Sequence, residues 1–303
     1  MANSIRSWVK AARLRTLPLS ISGIIVGTAM AASEGFFNAN IFLLALLTNV
    51  GFKILSNFAN DYGDGVKGTD NEDRVGPQRA LQSGEITKRA MKQGIVITTM
   101  ISLFLAIWLI YISFGKDNVQ LGILFLLLGL ASVVAAIKYT VGDSAYGYHG
   151  LGDVFVFLFF GLLSVCGSFF LYTKQLDLVD FLPAVTVGFF STAVLNLNNM
   201  RDIDNDEKVG KRTLAVMLGP KQARAYHYML IFAGMLASIA YVFIRGSVLW
   251  NALFIVSYIP LALHMVKVLR TEAPQLLDPE LKKVALSTFL FSVLFFIGFN
   301  IFS

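Results

Sequence analysis

Two short stretches hold most of the groups in this sequence that could do chemistry. One is Asn57 to Asp64, NFANDYGD, and the other is Asn198 to Asp206, NNMRDIDND. Each sets an Asp four residues after an Asn, Asp61 after Asn57 and Asp202 after Asn198, and follows it with another acid, Asp64 or Asp206. If each stretch is helical, a turn of about 100° per residue brings Asn57, Asp61 and Asp64 within about 60° of one another, and Asn198, Asp202 and Asp206 within about 80°. Each set then presents one oxygen-rich face. Oxygen donors without cysteine or clustered histidine suit a hard cation such as Mg2+, which takes one or two carboxylates and completes its shell with substrate phosphates. The bases that follow suit the same ligand: Lys67, Arg74 and Arg79 after the first stretch, Lys211 and Arg212 after the second. Ammonium and guanidinium groups bind phosphate oxygens through charge-assisted hydrogen bonds. The combination describes a site for a polyanion.

The elements that must position these groups are membrane helices. The chain has 303 residues, 56% apolar and 15% charged, where soluble domains carry about 25% charged residues. A bilayer core of about 30 Å needs roughly 20 apolar residues per helix. Nine windows qualify: 17–33, 39–59, 91–114, 119–138, 154–173, 179–199, 225–244, 248–268 and 284–302. The expectation is an all-α membrane protein, one polytopic domain over 1–303. Each acidic stretch closes its span at the C-terminal end, where unpaired carbonyls already carry partial negative charge. Carboxylates are disfavoured there unless a cation compensates. A single Asp near a helix end marks no more than a solvated loop, but two matched stretches on one face of the membrane argue for a shared tenant.

The net charge of +6 reports topology. With nine spans, most Lys and Arg fall on the N-terminus and the loops after spans 2, 4, 6 and 8, while the opposite face has only Lys116, Lys174 and Arg245. That is the positive-inside pattern, with a cytoplasmic N-terminus and the acidic loops on the cytoplasmic side of the inner membrane. No basic soluble module exists to bind nucleic acid. The lone Cys166 lies mid-span and offers neither a disulfide nor a cysteine metal site, and the polar, basic N-terminus lacks the apolar core of a cleavable signal peptide. The two motifs each close the second helix of a four-helix set, which points to possible halves at 17–138 and 154–268 with a final helix at 284–302. Lys53 sits within span 2, where its ammonium is expected to snorkel, and His149, His227 and His264 fall near span ends as interfacial residues. An ion-coupled transporter is the rival class, since intramembrane acids also mark ion paths.

The pair NDYGD after one span and DIDND with GKRTLAVMLG after another resembles the UbiA superfamily of intramembrane prenyltransferases. The wording NDYGDGVKGTDNEDRVGPQRALQSG and GLGDVFVFLFFG is most similar to the branch that prenylates 1,4-dihydroxy-2-naphthoate. The resemblance implies a nine-helix UbiA-type bundle, Mg2+ as cofactor, and a polyprenyl diphosphate and an aromatic acid as substrates. It assigns Asp61, Asp64, Asp202 and Asp206 to the metal and to catalysis, with Asn57, Asn60 and Asn198 in support. Lys67, Arg79, Lys211 and Arg212 are expected at the diphosphate, and Lys138 and Tyr139 at the diphosphate or the aromatic acid; Asp153 is a weaker candidate. Two departures stand out: a further acid of each family motif would fall at Gly68 and Gly210, with Asp70 a substitute for the first. Acceptors such as 4-hydroxybenzoate remain alternatives. The DYGDG start of a CDP-alcohol phosphotransferase motif is also present, but it fails at Gly68-Thr69.

Overall fold

The computed structural model describes residues 4–71, 75–246, 248–271 and 273–301; Arg74, with Glu72 and Asp73, lies outside the described residues. Eleven helices carry the argument: α1 (Ile5–Ala12), α2 (Leu17–Ser33), α3 (Ala39–Lys67), α4 (Lys88–Phe114), α5 (Val119–Lys138), α6 (Gly152–Thr173), α7 (Leu178–Arg201), α8 (Ile203–Lys208), α9 (Leu214–Arg245), α10 (Leu249–Arg270) and α11 (Pro274–Asn300). Among the described residues, nine segments are long and apolar enough to cross a membrane: α1 with α2 as one, then α3–α7 and α9–α11. This is an integral multi-pass membrane protein.

Two boundaries differ from the sequence reading for identifiable reasons. Helix α3 does not stop near residue 59 but continues to Lys67, ending where Gly68 takes a left-handed conformation (φ 75°). The polar run that looks like a loop stays helical because its side chains find partners inside the fold. Helix α9 begins at Leu214 and bends at Gly219 (φ 76°), just before Pro220, whose ring and missing N–H interrupt the helical ladder.

Without a hydrophobic drive between apolar helices in lipid, close van der Waals packing at small residues holds such bundles together. A Cβ on Gly27 of α2 would come within 2.3 Å of the Val165 carbonyl oxygen and 2.8 Å of Ser168 Cβ on α6. Gly161 of α6 and Gly188 of α7 meet backbone to backbone in the same way. The stretch Phe157–Gly167 of α6 is π-helical, a geometry frequent at functional sites. Phe254, Phe291 and Phe295 fill the contact between α10 and α11, with ring centroids 5.1–5.9 Å apart.

His227 and His264 are not interfacial. Both are fully buried between α9, α10 and α11. Their Nε2 atoms lie 2.7 Å apart, His264 Nδ1 is 2.7 Å from Glu280 Oε2, and Lys283 donates to the other Glu280 oxygen at 2.7 Å. Polar groups this deep persist mostly through such partners, although His227 Nδ1 is buried without a hydrogen bond. The paired imidazoles tie three helices together.

Gly27→Val should destabilise the protein by about 2–3 kcal/mol through overpacking against backbone, read as a lowered thermal midpoint in detergent. Gly122→Ala, whose new methyl would meet only Ile110 Cγ2 at 3.4 Å, should leave the midpoint unchanged.

Candidate active site

The last turns of α3 and the junction of α7 with α8 meet at one end of the bundle. Asn57, Asn60 and Asp64 from α3, and Asn198, Asp202, Asn205 and Asp206 from α7 and α8, line one cavity of about 430 Å³, within the range typical of ligand pockets. Two groups separated by more than 130 residues of chain thus converge. Asn205 Nδ2 also donates to the Thr69 carbonyl at 3.3 Å, joining the second motif to the turn that follows α3.

The centre of the arrangement is Tyr148, in the loop between α5 and α6. Its hydroxyl donates to Asp64 Oδ1 at 2.8 Å and contacts the Thr69 hydroxyl at 2.5 Å. Its ring carries Lys67 Nζ at 4.0 Å and Lys211 Nζ at 5.6 Å from the centroid. Burial pushes the Tyr148 phenol up and Asp64 adds to the shift, so it stays a hydrogen-bond donor. Lys211 reaches the second motif as well, 3.6 Å from Asp206 Oδ1. Burial alone would lower its ammonium, but Asp64, Asp206, Asp202 and Asp70 together hold it above the ordinary lysine value. One lysine therefore answers carboxylates from both motifs.

That answer is incomplete. Burial pushes the Asp206 carboxyl up to about 6, opposed by Lys211 and aided by Asp202 and Asp64, and its Oδ2 is buried without a hydrogen-bond partner, as is Asn205 Oδ1. Buried oxygens in this state fit a hard cation. Among the described residues no three His, Cys, Asp or Glu side chains converge to hold a metal alone, which matches Mg2+ bound through one or two carboxylates with substrate oxygens completing the shell. Asp202 accepts a forked pair from Arg201, Nε to Oδ1 at 2.9 Å and Nη2 to Oδ2 at 2.6 Å. Arg201 also donates to Asn198 Oδ1 at 3.0 Å and Asp278 Oδ1 at 2.5 Å, fixing the second motif to the start of α11.

The expected residues divide into three groups. Lining the cavity are Asn57, Asn60, Asp64, Arg79, Tyr139, Asn198, Asp202, Asp206 and Lys211. Outside the lining are Lys67, Lys138 and Arg212, all exposed; Lys67 still touches the site through Tyr148. Asp61 is turned elsewhere. It is 1% exposed and accepts the backbone N–H groups of Ala80 and Leu81 at 3.2 and 3.3 Å, anchoring the loop that follows α3. Asp153 is buried but does not line the cavity. Asn57 lines it while donating to the Ala12 carbonyl at 2.8 Å. Asp70, the substitute acid, also lines it, 3.8 Å from Arg79 Nε.

Several residues escaped the sequence reading. Tyr148 and Asn205 carry no signal beyond their closeness to recognised motifs. Lys53 does not snorkel; it lines the cavity, with Nζ 5.3 Å from the Phe160 ring centroid. Arg13 lines the same cavity. Away from this polar end the walls turn apolar, through Leu109, Ile110, Phe125, Phe159 and Leu163. Tyr146 stacks on Phe155 at 3.9 Å where the two regions meet.

The cavity joins an oxygen-rich, cation-ringed end to apolar walls, an arrangement that fits an amphiphilic polyanion. Residues 20–299 match the UbiA prenyltransferase family, and the chain belongs to that family. It is 40% identical over 297 residues to a 1,4-dihydroxy-2-naphthoate octaprenyltransferase of Haemophilus influenzae, covering 97% of this chain and 96% of the relative. It is 41% identical over 293 residues to the enzyme of that description from Escherichia coli, covering 97% and 94%. The fold is that of a UbiA homolog from Aeropyrum pernix (TM-score 0.65, 18% identity, 95% and 98% of the two chains) and of one from Archaeoglobus fulgidus bound to DMAPP and Mg2+ (TM-score 0.62, 15% identity, 95% and 99%).

Tyr148→Phe keeps the ring between Lys67 and Lys211 but removes the hydroxyl from Asp64. The loss of one hydrogen bond to a charged group, about 1.5–3 kcal/mol, should raise the Mg2+ concentration needed for half-maximal turnover and leave the thermal midpoint within a few degrees. An unchanged Mg2+ requirement would remove Tyr148 from the site.

Proposed function

We propose that this protein is a Mg2+-dependent prenyltransferase that moves a polyprenyl group from its diphosphate to 1,4-dihydroxy-2-naphthoate, with loss of carbon dioxide, to give demethylmenaquinone. The observation that carries the reading is the convergence of Asp64, Asp202 and Asp206 with Lys211 at the polar end of an apolar intramembrane cavity. The choice of naphthoate rests on whole-length similarity to two naphthoate octaprenyltransferases, whose descriptions also favour an eight-unit chain. With basic side chains gathered at the end that carries the carboxylates, the site lies on the cytoplasmic face of the inner membrane, and the N-terminus with it. The matched motifs on α3 and α7 favour two four-helix halves with α11 added.

One or two of Asp64, Asp202 and Asp206 would hold the metal together with diphosphate oxygens, with Asn60, Asn198 and Asn205 supplying neutral oxygens. Mg2+, when bound, supplies Lewis-acid stabilisation of the charge that builds on the diphosphate leaving group. Lys211 and Arg79 line the same end and draw further negative charge onto the phosphate oxygens, a form of preorganised electrostatics that is usually the largest catalytic contribution. As the allylic C–O bond breaks, the diphosphate departs with the bonding pair. The apolar walls, with the stacked Tyr146 and Phe155, keep water from the resulting cation. The electron-rich ring gains the prenyl group in a new C–C bond and loses its carboxylate as carbon dioxide, so the pair left behind cancels the positive charge. Tyr139, whose phenol is pushed up by burial and then by Asp64, remains an O–H donor beside this step. Asp61 acts through the loop it anchors.

The test is purified protein with Mg2+, octaprenyl diphosphate and a panel of aromatic acids, with products identified by mass. A prenylated, decarboxylated naphthoate is expected; diphosphate release without a prenylated ring, or preference for 4-hydroxybenzoate, would overturn the assignment. Asp64→Asn, Asp202→Asn and Asp206→Asn should each lower turnover at least about 100-fold, a loss typical of removed electrostatic stabilisation. Asp61→Asn should instead lower thermal stability while leaving the Mg2+ dependence of the remaining activity unchanged.

A further inference from the structure

Helix α1 divides cleanly into three faces. Ser7, Ala11 and Ala12 are buried against the bundle, and the Trp8 ring packs edge-on to Phe58 of α3 at 5.2 Å. The same indole fills the space a Cβ on Gly94 of α4 would need, 2.6 Å away. A second face carries Ile5 and Val9, 84% and 50% exposed. A third carries Arg6 and Lys10, both exposed. At about 100° per residue these three faces follow one another around the axis, so the apolar edge lies between the docked face and the basic one. After Ala12 the chain turns at Arg13, in a left-handed conformation (φ 52°), and enters α2.

An apolar edge beside a basic edge, at the end of a membrane-spanning helix, is the signature of a helix lying in the membrane interface. The charge around it is one-sided: Arg15, Lys88, Arg89 and Lys92 are also exposed, and Glu85 is paired with Lys10 at 2.5 Å. Helix α1 is also wired to the cavity. Its last carbonyl, on Ala12, accepts the Asn57 side chain at 2.8 Å, and the next residue, Arg13, lines the cavity itself.

We infer that α1 is an interfacial helix that engages anionic lipid headgroups through Arg6 and Arg15, and that this seating sets the positions of Asn57 and Arg13 in the cavity. The occupant is the anionic headgroup layer: the basic edge needs negative charge and the adjacent Ile5 and Val9 need acyl chains, which no soluble anion supplies. Juxtamembrane basic residues each strengthen such contact about fivefold. The effect on turnover rests on the prenyltransferase reading; the lipid contact does not.

The test uses the full-length protein in nanodiscs of phosphatidylcholine alone or mixed equally with phosphatidylglycerol, followed by hydrogen exchange and by prenyl transfer. In the anionic discs the amides of residues 5–12 should exchange about fivefold more slowly, and turnover should rise about threefold. Arg6→Gln with Arg15→Gln should abolish both changes while keeping the activity seen in phosphatidylcholine, and inorganic phosphate added to neutral discs should reproduce neither. Equal exchange in the two lipids, or slowing retained in the double variant, overturns the lipid contact. Slowed exchange with unchanged turnover overturns the coupling to the cavity. Absence of turnover in both lipids counts against the prenyltransferase reading, and the exchange comparison still decides the lipid contact.

Discussion

The structure depends on holding like charges together at one end of an apolar bundle. Asp64 lies in the last turn of α3, where unpaired carbonyls already carry negative potential, while Asp202 ends α7 and Asp206 sits beside it in the first turn of α8. At low dielectric such repulsion is severe, so every carboxylate has an answering group. Asp64 takes the Tyr148 hydroxyl, Asp202 takes the Arg201 fork, and Asp206 takes Lys211. The compensation stops short at Asp206 Oδ2, which is buried without a partner. The carboxylate end of the cavity is thus left with a buried acceptor open to an additional positive charge.

That constraint explains the loops as well as the helices. The turn after α3 is fixed by Asp61 through the Ala80 and Leu81 amides, and the loop after α5 brings Tyr148 between two lysines. The Arg212 amide donates to the Tyr148 carbonyl at 3.2 Å, so the loop that carries Lys211 is stitched to the loop that carries Tyr148. Glycine contacts along α2, α6 and α7 let the backbones approach closely, and the π-helical part of α6 turns Phe159, Phe160 and Leu163 toward the cavity. Polar capture and apolar housing therefore meet at one boundary, near Tyr139 and Tyr146.

Asp61 and Asp64 show how far spacing carries and where it stops. Both lie on one arc of α3, and periodicity cannot separate them. A difference of three residues is enough for one to face the cavity and the other the loop, because the loop returns on only one side of the helix. Lys53 is similar. Hydropathy makes it a misfit in a lipid-facing helix, but its surroundings are a cavity wall, and the ammonium needs no path to the surface. His227 and His264 are 37 positions apart, and nothing in their local sequence announces that three helices bring them to a 2.7 Å contact with Glu280 behind.

The sequence by itself determined the nine spans, the two acid-rich helix ends and the chemistry of a hard metal with a diphosphate. Those follow from local quantities: apolar length against bilayer thickness, residue type, and the 3.6-residue period. The tertiary structure alone decided which acids share the cavity, that Lys211 and Tyr148 bind the two motifs to each other, and that Arg201 anchors the second to α11. Those depend on contacts between residues tens to more than a hundred positions apart, where the packing of whole helices rather than any short pattern sets the distance.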